Sequence, residues 1–431
     1  MTARAAFDVT TLQSDSGVAS NKIVFVNRYF HPDESATSRV LSDLAFRLAA
    51  LGIRVAVVTS RQLYDDPRAG LPGYEQIAGV SVYRVATATR GRTRLAGRGS
   101  DYVSFHAAAG VKLLQVLAPG DVAVAKTDPP LISVSVSIAA RLRGALLVNW
   151  LQDVFPEVAV ALGMRIPAWV SRSLQFARDR SLRHSVMNVV LGERMHAHLL
   201  ALGIQSERIR IVPNSADIRT ITPRPVEQSA TRRRLDLEGR FVVGYSGNLG
   251  RAHEFDTLLG AARLLRANRR FVFLFTGGGA KMESLQHAVR AEGLDSFRFL
   301  PYQPPDLLAD SLAAADVHIV SLLPELEGLI VPSKLYGILA AGRPAVFIGD
   351  TQGEVALVVC RHACGIAVPA GDSERLAKEL LDLSDAPDRL QTMGNNGRRL
   401  VVSRYGSERA AADWQQILVS LAPASLQPLS P

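Results

Sequence analysis

The sequence predicts an α/β protein of two Rossmann-like, doubly wound parallel-sheet domains facing each other across a cleft. Three observations predict it. Short β-rich runs alternate with helical patterns over most of the chain, the order that builds βαβ units. The alternation comes in two series of similar size, separated by the proline-bearing segment Val212–Pro225, which has the turn chemistry of a linker. A chain of 431 residues also exceeds one ordinary core, so two domains of roughly 200 residues are expected.

The first series opens with the strand pattern Ile23–Asn27 (IVFVN). A helical stripe of Leu41, Leu44, Ala45, Leu48 and Leu51 follows and stops at Gly52, and strand resumes at Arg54–Thr59. Further strands are expected at Val80–Val85, Val122–Lys126, Leu146–Leu151 and Val186–Leu191. The second series has a strand at Phe241–Ser246, a helix at Glu254–Ala267, a strand at Phe271–Thr276, the triplet Gly277–Gly279, and strands at Asp316–Ser321 and Ala345–Ile348. The implied domains are 21–215 and 239–406 with a linker at 216–238. A closing helix at 407–422 is expected to pack back toward the first domain, residues 1–20 read as a disordered leader, and 423–431 as a tail. No residue-level repeat relates the two series, so the duplication is architectural. An open α/β sheet binds ligand outside the carboxyl ends of its strands, which places the site between the domains.

Composition narrows the partners. Lys and Arg number 49 against 40 Asp and Glu, and the net charge of +9 favours phosphate groups or anionic lipid. Nucleic acid is disfavoured, because the charge forms no dense run and no aromatic-basic strand motif accompanies it. Cys360 and Cys364 are the only cysteines, too few for a disulfide framework or a zinc site, and a reduced, cytosolic setting follows. The first twenty residues lack a signal-peptide core, and the most apolar stretch, Leu131–Val148, is broken by Arg141 and Arg143. Membrane contact is therefore expected to be peripheral.

The stretch Pro324–Asp350 carries the strongest local chemistry. Pro332 and Ser333 end a loop, and Ser333 is placed to cap a helix with Lys334, Leu335, Ile338 and Leu339 that Gly342 stops. A phosphate docked there would meet free N–H groups and the Lys334 charge. Gly247, Asn248, Gly250 and Arg251 follow the first strand of the second domain, where the glycines admit close backbone approach and Arg251 adds charge. Gly277 and Gly278 repeat the pattern after the next strand, and three such loops in one domain point to a nucleoside diphosphate. In the first domain Gln152-Asp153 ends a strand at the cleft, where a carboxylate is costly unless paired or used. Asp153 is the candidate catalytic residue, with capping of the VFPE segment as the alternative. His31, Asp33, Glu34 and Ser35, with Thr37, line the first strand-to-helix loop, where they would meet either the diphosphate or a second substrate.

These segments carry a family resemblance. SGNLGRAHEFDTLL, FTGGG, PYQPPDLLADSLAAADVHIVSL, EGLIVPSKLYGILAAGRP and GEVA resemble the donor domain of glycosyltransferase family 4, with its GT-B fold. YFHPDESATSRVLSDLA, SRQLYDDP and NWLQDVFPEVA resemble the first domain of its bacterial O-antigen, colanic-acid and exopolysaccharide assembly subgroup. The resemblance covers about Lys22 to Trp414. It implies a retaining, metal-independent transferase without cofactor, using a UDP- or GDP-linked sugar and a lipid-linked saccharide acceptor on the inner face of the cell membrane. The family's diphosphate-binding Arg and Lys fall on Asn248 and His253, so Arg251 and Lys334 are the candidate cations. Its second glutamate falls on Gly337, Glu325 and Glu327 stand out of register with the first, and Glu354 matches a later glutamate near the nucleotide. Asp153 stands where the family often carries a His. A nucleotide-sugar epimerase on the same fold is the alternative within enzymes, and a basic nucleic-acid-binding protein the alternative outside them. An NAD enzyme is disfavoured, since the first strand leads into RYFHP and no GxGxxG.

Basic, partly apolar surface is expected at Arg84–Arg98 and at Ile166–Arg183. The second places Trp169, Leu174, Phe176 and Leu182 among Arg172, Arg178, Arg180 and Arg183 on one helix, the composition of a helix lying on an anionic membrane.

Overall fold

The computed structural model describes residues 21–90 and 95–421. The predicted leader at 1–20, the tail at 423–431 and part of the basic stretch 84–98 lie outside the described residues.

Two α/β sheets form. The first contains β1 (Ile23–Val26), β2 (Val55–Ser60), β3 (Tyr74–Ile77), β4 (Val80–Val85), β5 (Val122–Lys126), β6 (Leu146–Trp150), β7 (Met187–Val190) and β8 (Ile209–Ile211). Their spatial order is β3-β4-β2-β1-β5-β6-β7-β8. All neighbours pair in parallel, as expected, except the added edge strand β3 with β4. Ala78 and Gly79, at φ 45° and 82°, turn the chain back so that Ile77 pairs with Val80. The β3 segment, YEQI, alternates exposed and half-buried residues at the sheet edge and so offers no apolar run to detect.

The second sheet contains β9 (Phe241–Asn248), β10 (Phe271–Gly278), β11 (Phe297–Leu300), β12 (Val317–Ser321), β13 (Ala345–Gly349) and β14 (Gly365–Pro369). Their order is β11-β10-β9-β12-β13-β14, parallel throughout. β9 and β10 outrun their predicted ends because the glycines join the ladder, Gly247 opposite Gly277 and Asn248 opposite Gly278. A Cβ on Gly277 would collide with the Gly247 carbonyl, and Gly277 holds φ at +135°. In each sheet the chain winds outward one way and then the other, so the switch points are β1/β5 and β9/β12.

The domains meet at several places. Ala216 pairs with Gly406 where the chain crosses and recrosses, the Ala216 N–H donating to Tyr405 O at 3.0 Å and Ser407 N–H to Ala216 O at 3.1 Å. The closing helix Ser407–Leu421 then lies on the first domain, with Trp414 buried 4.8 Å from the Trp150 ring and 6.1 Å from Phe25. Beside the cleft one apolar core is continuous across the boundary, combining Leu151, Val154 and Met195 with Leu322, Leu326 and Leu329.

Candidate functional site

Lys334 opens the seven-residue helix Lys334–Ala340, which follows the loop after β12. Ser333 is already helical (φ −68°, ψ −20°) and its side chain caps nothing, which corrects the expected cap. The Lys334 amine reaches back over the end of β9. It donates to the Tyr245 hydroxyl, lies 3.4 Å from Asn248 O and 3.3 Å from His253 Nε2, and sits 3.8 Å above the Tyr245 ring centroid. Burial holds its pKa well below that of an ordinary lysine. His253 Nδ1 lies 2.6 Å from Ser321 O, so the ring carries its proton there and leaves Nε2 as an acceptor toward Lys334. Burial first and Lys334 second push the His253 pKa down to about 3, so the imidazole is neutral.

The two glycine loops are stitched into one surface around this amine. Leu249 N–H donates to Gly278 O at 2.6 Å and Lys281 N–H to Leu249 O at 3.0 Å. The structure thus brings Gly247, Asn248, Gly250, His253, Gly277, Gly278 and Lys334 together at the carboxyl end of the second sheet, with Ser333 exposed beside them. Arg251 is exposed on the same loop. Sequence reasoning missed Lys281, whose amine donates to His253 O at 2.7 Å; its place one residue beyond the glycine triplet, after Ala280, was the available signal.

Asp153 belongs to the first domain and lies just beyond β6, where the two domains touch. Its backbone forms an antiparallel bridge with Ile330, and Val154 N–H donates to Leu329 O at 3.0 Å, so it is tied to the loop that leads into Lys334. With Thr127, Ser133, Asn149 and Arg178 it lines a recess. Burial first, and the Asp128 carboxylate second, raise the Asp153 pKa to about 7, and its Oδ1 is buried without a hydrogen-bond partner. Lys126 lies close by, fully buried, its amine donating to Thr37 O at 2.6 Å and Thr37 Oγ1 at 3.1 Å above the Trp150 ring. Burial lowers its pKa to about 7. A lysine ending the strand VAVAK was the sequence signal for it.

The β1 loop is organised by Asp33, which is buried and accepts from Ser35 N–H at 2.9 Å, from the Ser35 hydroxyl and from Tyr64 N–H. Ser35 is thereby committed to the loop. Glu34 is exposed and pairs with Arg39, while the His31 ring packs edge-on against Phe46 at 5.6 Å. Glu354 is engaged elsewhere: its Oε2 accepts from Arg194 N–H of the first domain at 3.0 Å.

On the helix Ala168–His184, Trp169 and Phe176 are 74% and 66% exposed, and Arg172, Arg180 and Arg183 share the exposed surface. Arg178 does not: it is buried, clamping Glu157 through two bonds of 2.7 and 2.8 Å, Asp179 at 2.7 Å and Phe155 O at 3.1 Å. Leu182 is core and Leu174 half-buried. Among the described residues no helix is long and apolar enough to cross a membrane.

The chain matches the model of a glycosyl transferase 4-like domain over residues 35–215 and that of glycosyl transferases group 1 over 240–386, one on each sheet. It is 26% identical over 316 residues to a Pseudomonas aeruginosa protein named as a probable glycosyltransferase, WbjE, covering 73% of this chain and 78% of that protein. WcaI of Escherichia coli K12, named for colanic acid biosynthesis, is 29% identical over 236 residues, covering 54% of this chain and 58% of WcaI. The Anabaena protein HepE, solved in complex with UDP-glucose, superposes with a TM-score of 0.69 at 17% identity, covering 93% of this chain and 99% of HepE. Two matched domains and two parallel sheets, each with a switch point, agree with the superposed structures: the chain belongs to glycosyltransferase family 4 and has the GT-B fold.

Proposed function

We propose that the protein transfers a sugar, with retention of configuration, from a UDP- or GDP-linked donor to a lipid-linked saccharide in bacterial surface polysaccharide biosynthesis. The observation that carries this reading is the Lys334 amine, set among Gly247, Asn248, Gly277 and Gly278 and joined through Ile330 to Asp153. As the bond from the anomeric carbon to the diphosphate breaks, negative charge grows on the leaving phosphate; Lys334, with Arg251 and Lys281 nearby, meets it, so no metal or cofactor is invoked. The acceptor hydroxyl, held from the first-domain side, bonds to the anomeric carbon on the face from which the phosphate departs, which keeps the configuration. Its proton passes to the departing phosphate oxygen or to the Asp153 carboxylate, a base whose pKa is raised to about 7. The names of WbjE and WcaI support the surface-polysaccharide setting, and the UDP-glucose held by HepE supports the donor class. The exposed Trp169, Phe176 and arginines support attachment to the inner face of the cell membrane, where a lipid-linked acceptor resides.

The test is incubation with UDP- and GDP-sugars, with and without a lipid-linked saccharide. Transfer that requires the acceptor and keeps the donor's anomeric configuration, read by NMR of the product, is expected. Conversion of the nucleotide sugar without acceptor would install an epimerase in its place.

A further inference from the structure

The helix Glu193–Ala201 of the first domain starts at Gly192 without a side-chain cap of its own. Its first N–H groups would point unsatisfied at the domain boundary. The carboxylate of Glu354, from the second domain, fills that place: Oε2 accepts from Arg194 N–H at 3.0 Å. Gly192 is what makes the fit, because a Cβ there would overlap the Glu354 carboxyl group. The Arg194 guanidinium closes the contact from the other side by donating to Gln352 O.

Glu354 is itself held in place. It is the first residue of the helix Glu354–Arg361, and its own N–H donates to Glu327 Oε1 at 2.7 Å. A Cβ on Gly353 would overlap the Glu327 carboxylate, so a second glycine admits a second carboxylate. Glu327 in turn opens the loop whose Leu329 and Ile330 pair with Val154 and Asp153, and which runs into Lys334. The caps therefore form a relay: Glu327 caps the helix that carries Glu354, and Glu354 caps a helix of the opposite domain. Every link lies beside the loop that spans the cleft.

We infer that Glu354 is an interdomain positioning residue, which sets how the first domain meets the loop that joins Asp153 to Lys334 by capping the helix Glu193–Ala201 across the domain boundary. The inference rests on the transferase reading for its effect on turnover, and on the contact alone for its effect on the domain arrangement. A charged cap is lost when either partner moves, so the contact resists opening of the domains at this edge. Both of its sides can be altered independently.

Three variants separate this role from direct contact with donor. Glu354→Ala removes the carboxylate, Glu354→Gln keeps an acceptor oxygen, and Gly192→Ala leaves Glu354 in the chain but expels it from the helix end. Gly192 has φ −172°, an extended backbone that alanine adopts freely. Amide hydrogen exchange at residues 193–195 and small-angle scattering are measured on the full-length protein, with circular dichroism to verify folding. Glu354→Ala and Gly192→Ala are expected to speed exchange at Arg194 and broaden the domain arrangement, with Glu354→Gln between them and the wild type. Turnover should fall by about 10- to 100-fold in both, the usual cost of misplacing reacting groups by about 1 Å, while affinities for UDP and GDP stay within about twofold of wild type. Weaker nucleotide binding in Glu354→Ala but not in Gly192→Ala would make Glu354 a donor contact and overturn the inference. Unchanged exchange and scattering in both would overturn it as well. If neither UDP nor GDP binds the wild type, the transferase reading fails, and the exchange and scattering still decide the cap.

Discussion

Two ionisable side chains define the site at the scale of single residues, and burial works on them in opposite directions. The Lys334 amine is desolvated among Tyr245, Asn248 and His253, so it gives up its proton more readily than a free lysine until an anion arrives. Binding of UDP or GDP should take up a growing fraction of a proton as the pH is raised toward the depressed Lys334 pKa, read by calorimetry in buffers of different ionisation enthalpy. Lys334→Ala should abolish the uptake and weaken binding by about 1.5 to 3 kcal/mol; Arg251→Ala should weaken it similarly without changing the uptake. Asp153 has its pKa raised from 3.8 to about 7, so between about pH 4 and pH 7 the folded protein holds a proton that the unfolded chain has released. Its contribution to stability is therefore present below that window and is lost as pH rises through it. Asp153→Asn should match the wild type near pH 4 and exceed it at pH 8 by about 1 to 2 kcal/mol in thermal or urea melts. Lys126, lowered to about 7, contributes a slope of the opposite sign only above pH 7, and it remains in both proteins. Turnover of Asp153→Asn should fall about 100-fold or more with donor affinity kept, the pattern of a group that acts in the transition state. The glycines, Lys334 and Asp153 were legible in the sequence because each sits at the end of an apolar strand or helix pattern. The second-domain location of Arg194's partner was not, because Glu354 and Arg194 are 160 residues apart.

Among the elements, the helix Ala168–His184 shows how far periodicity reaches. The sequence marked it as apolar and arginine-rich, but which arginines face outward depends on what the helix packs against. Arg178 turned inward because Glu157 and Asp179 offer it a half-buried carboxylate on each side, whereas Arg172, Arg180 and Arg183 are exposed. The membrane test therefore changes residues 172, 180 and 183 and spares 178. Replacing those three by Glu should abolish flotation with anionic liposomes at physiological salt, each Arg contributing about 1 kcal/mol near such a surface. Transfer to a lipid-linked acceptor should drop with it, while UDP or GDP binding stays unchanged. A wild type that never floats would return this helix to scaffold. Arg178→Ala, by contrast, should cost about 2 to 3 kcal/mol of stability in urea melts, since it strands Glu157 beside an apolar core.

Across the whole molecule, the closing helix Ser407–Leu421 fastens the second domain's chain to the first domain through Trp414. Trp414→Ala should open a cavity beside Trp150 and Phe25 and destabilise the protein by about 3 to 5 kcal/mol in a denaturant melt. The sequence by itself determined the two βαβ series, the residues that end their strands and the family, because apolar periodicity and glycine placement act over a few neighbouring positions. Strands such as β3, β8, β11 and β14 escaped it, since each is partly exposed and offers no long continuous apolar run. Only the tertiary structure decided that Lys126 and Asp153 share a buried corner, that Lys334 lies over Tyr245, and that Glu354 caps a helix of the other domain. Those facts depend on distance and desolvation between segments far apart in the chain, which no local pattern encodes.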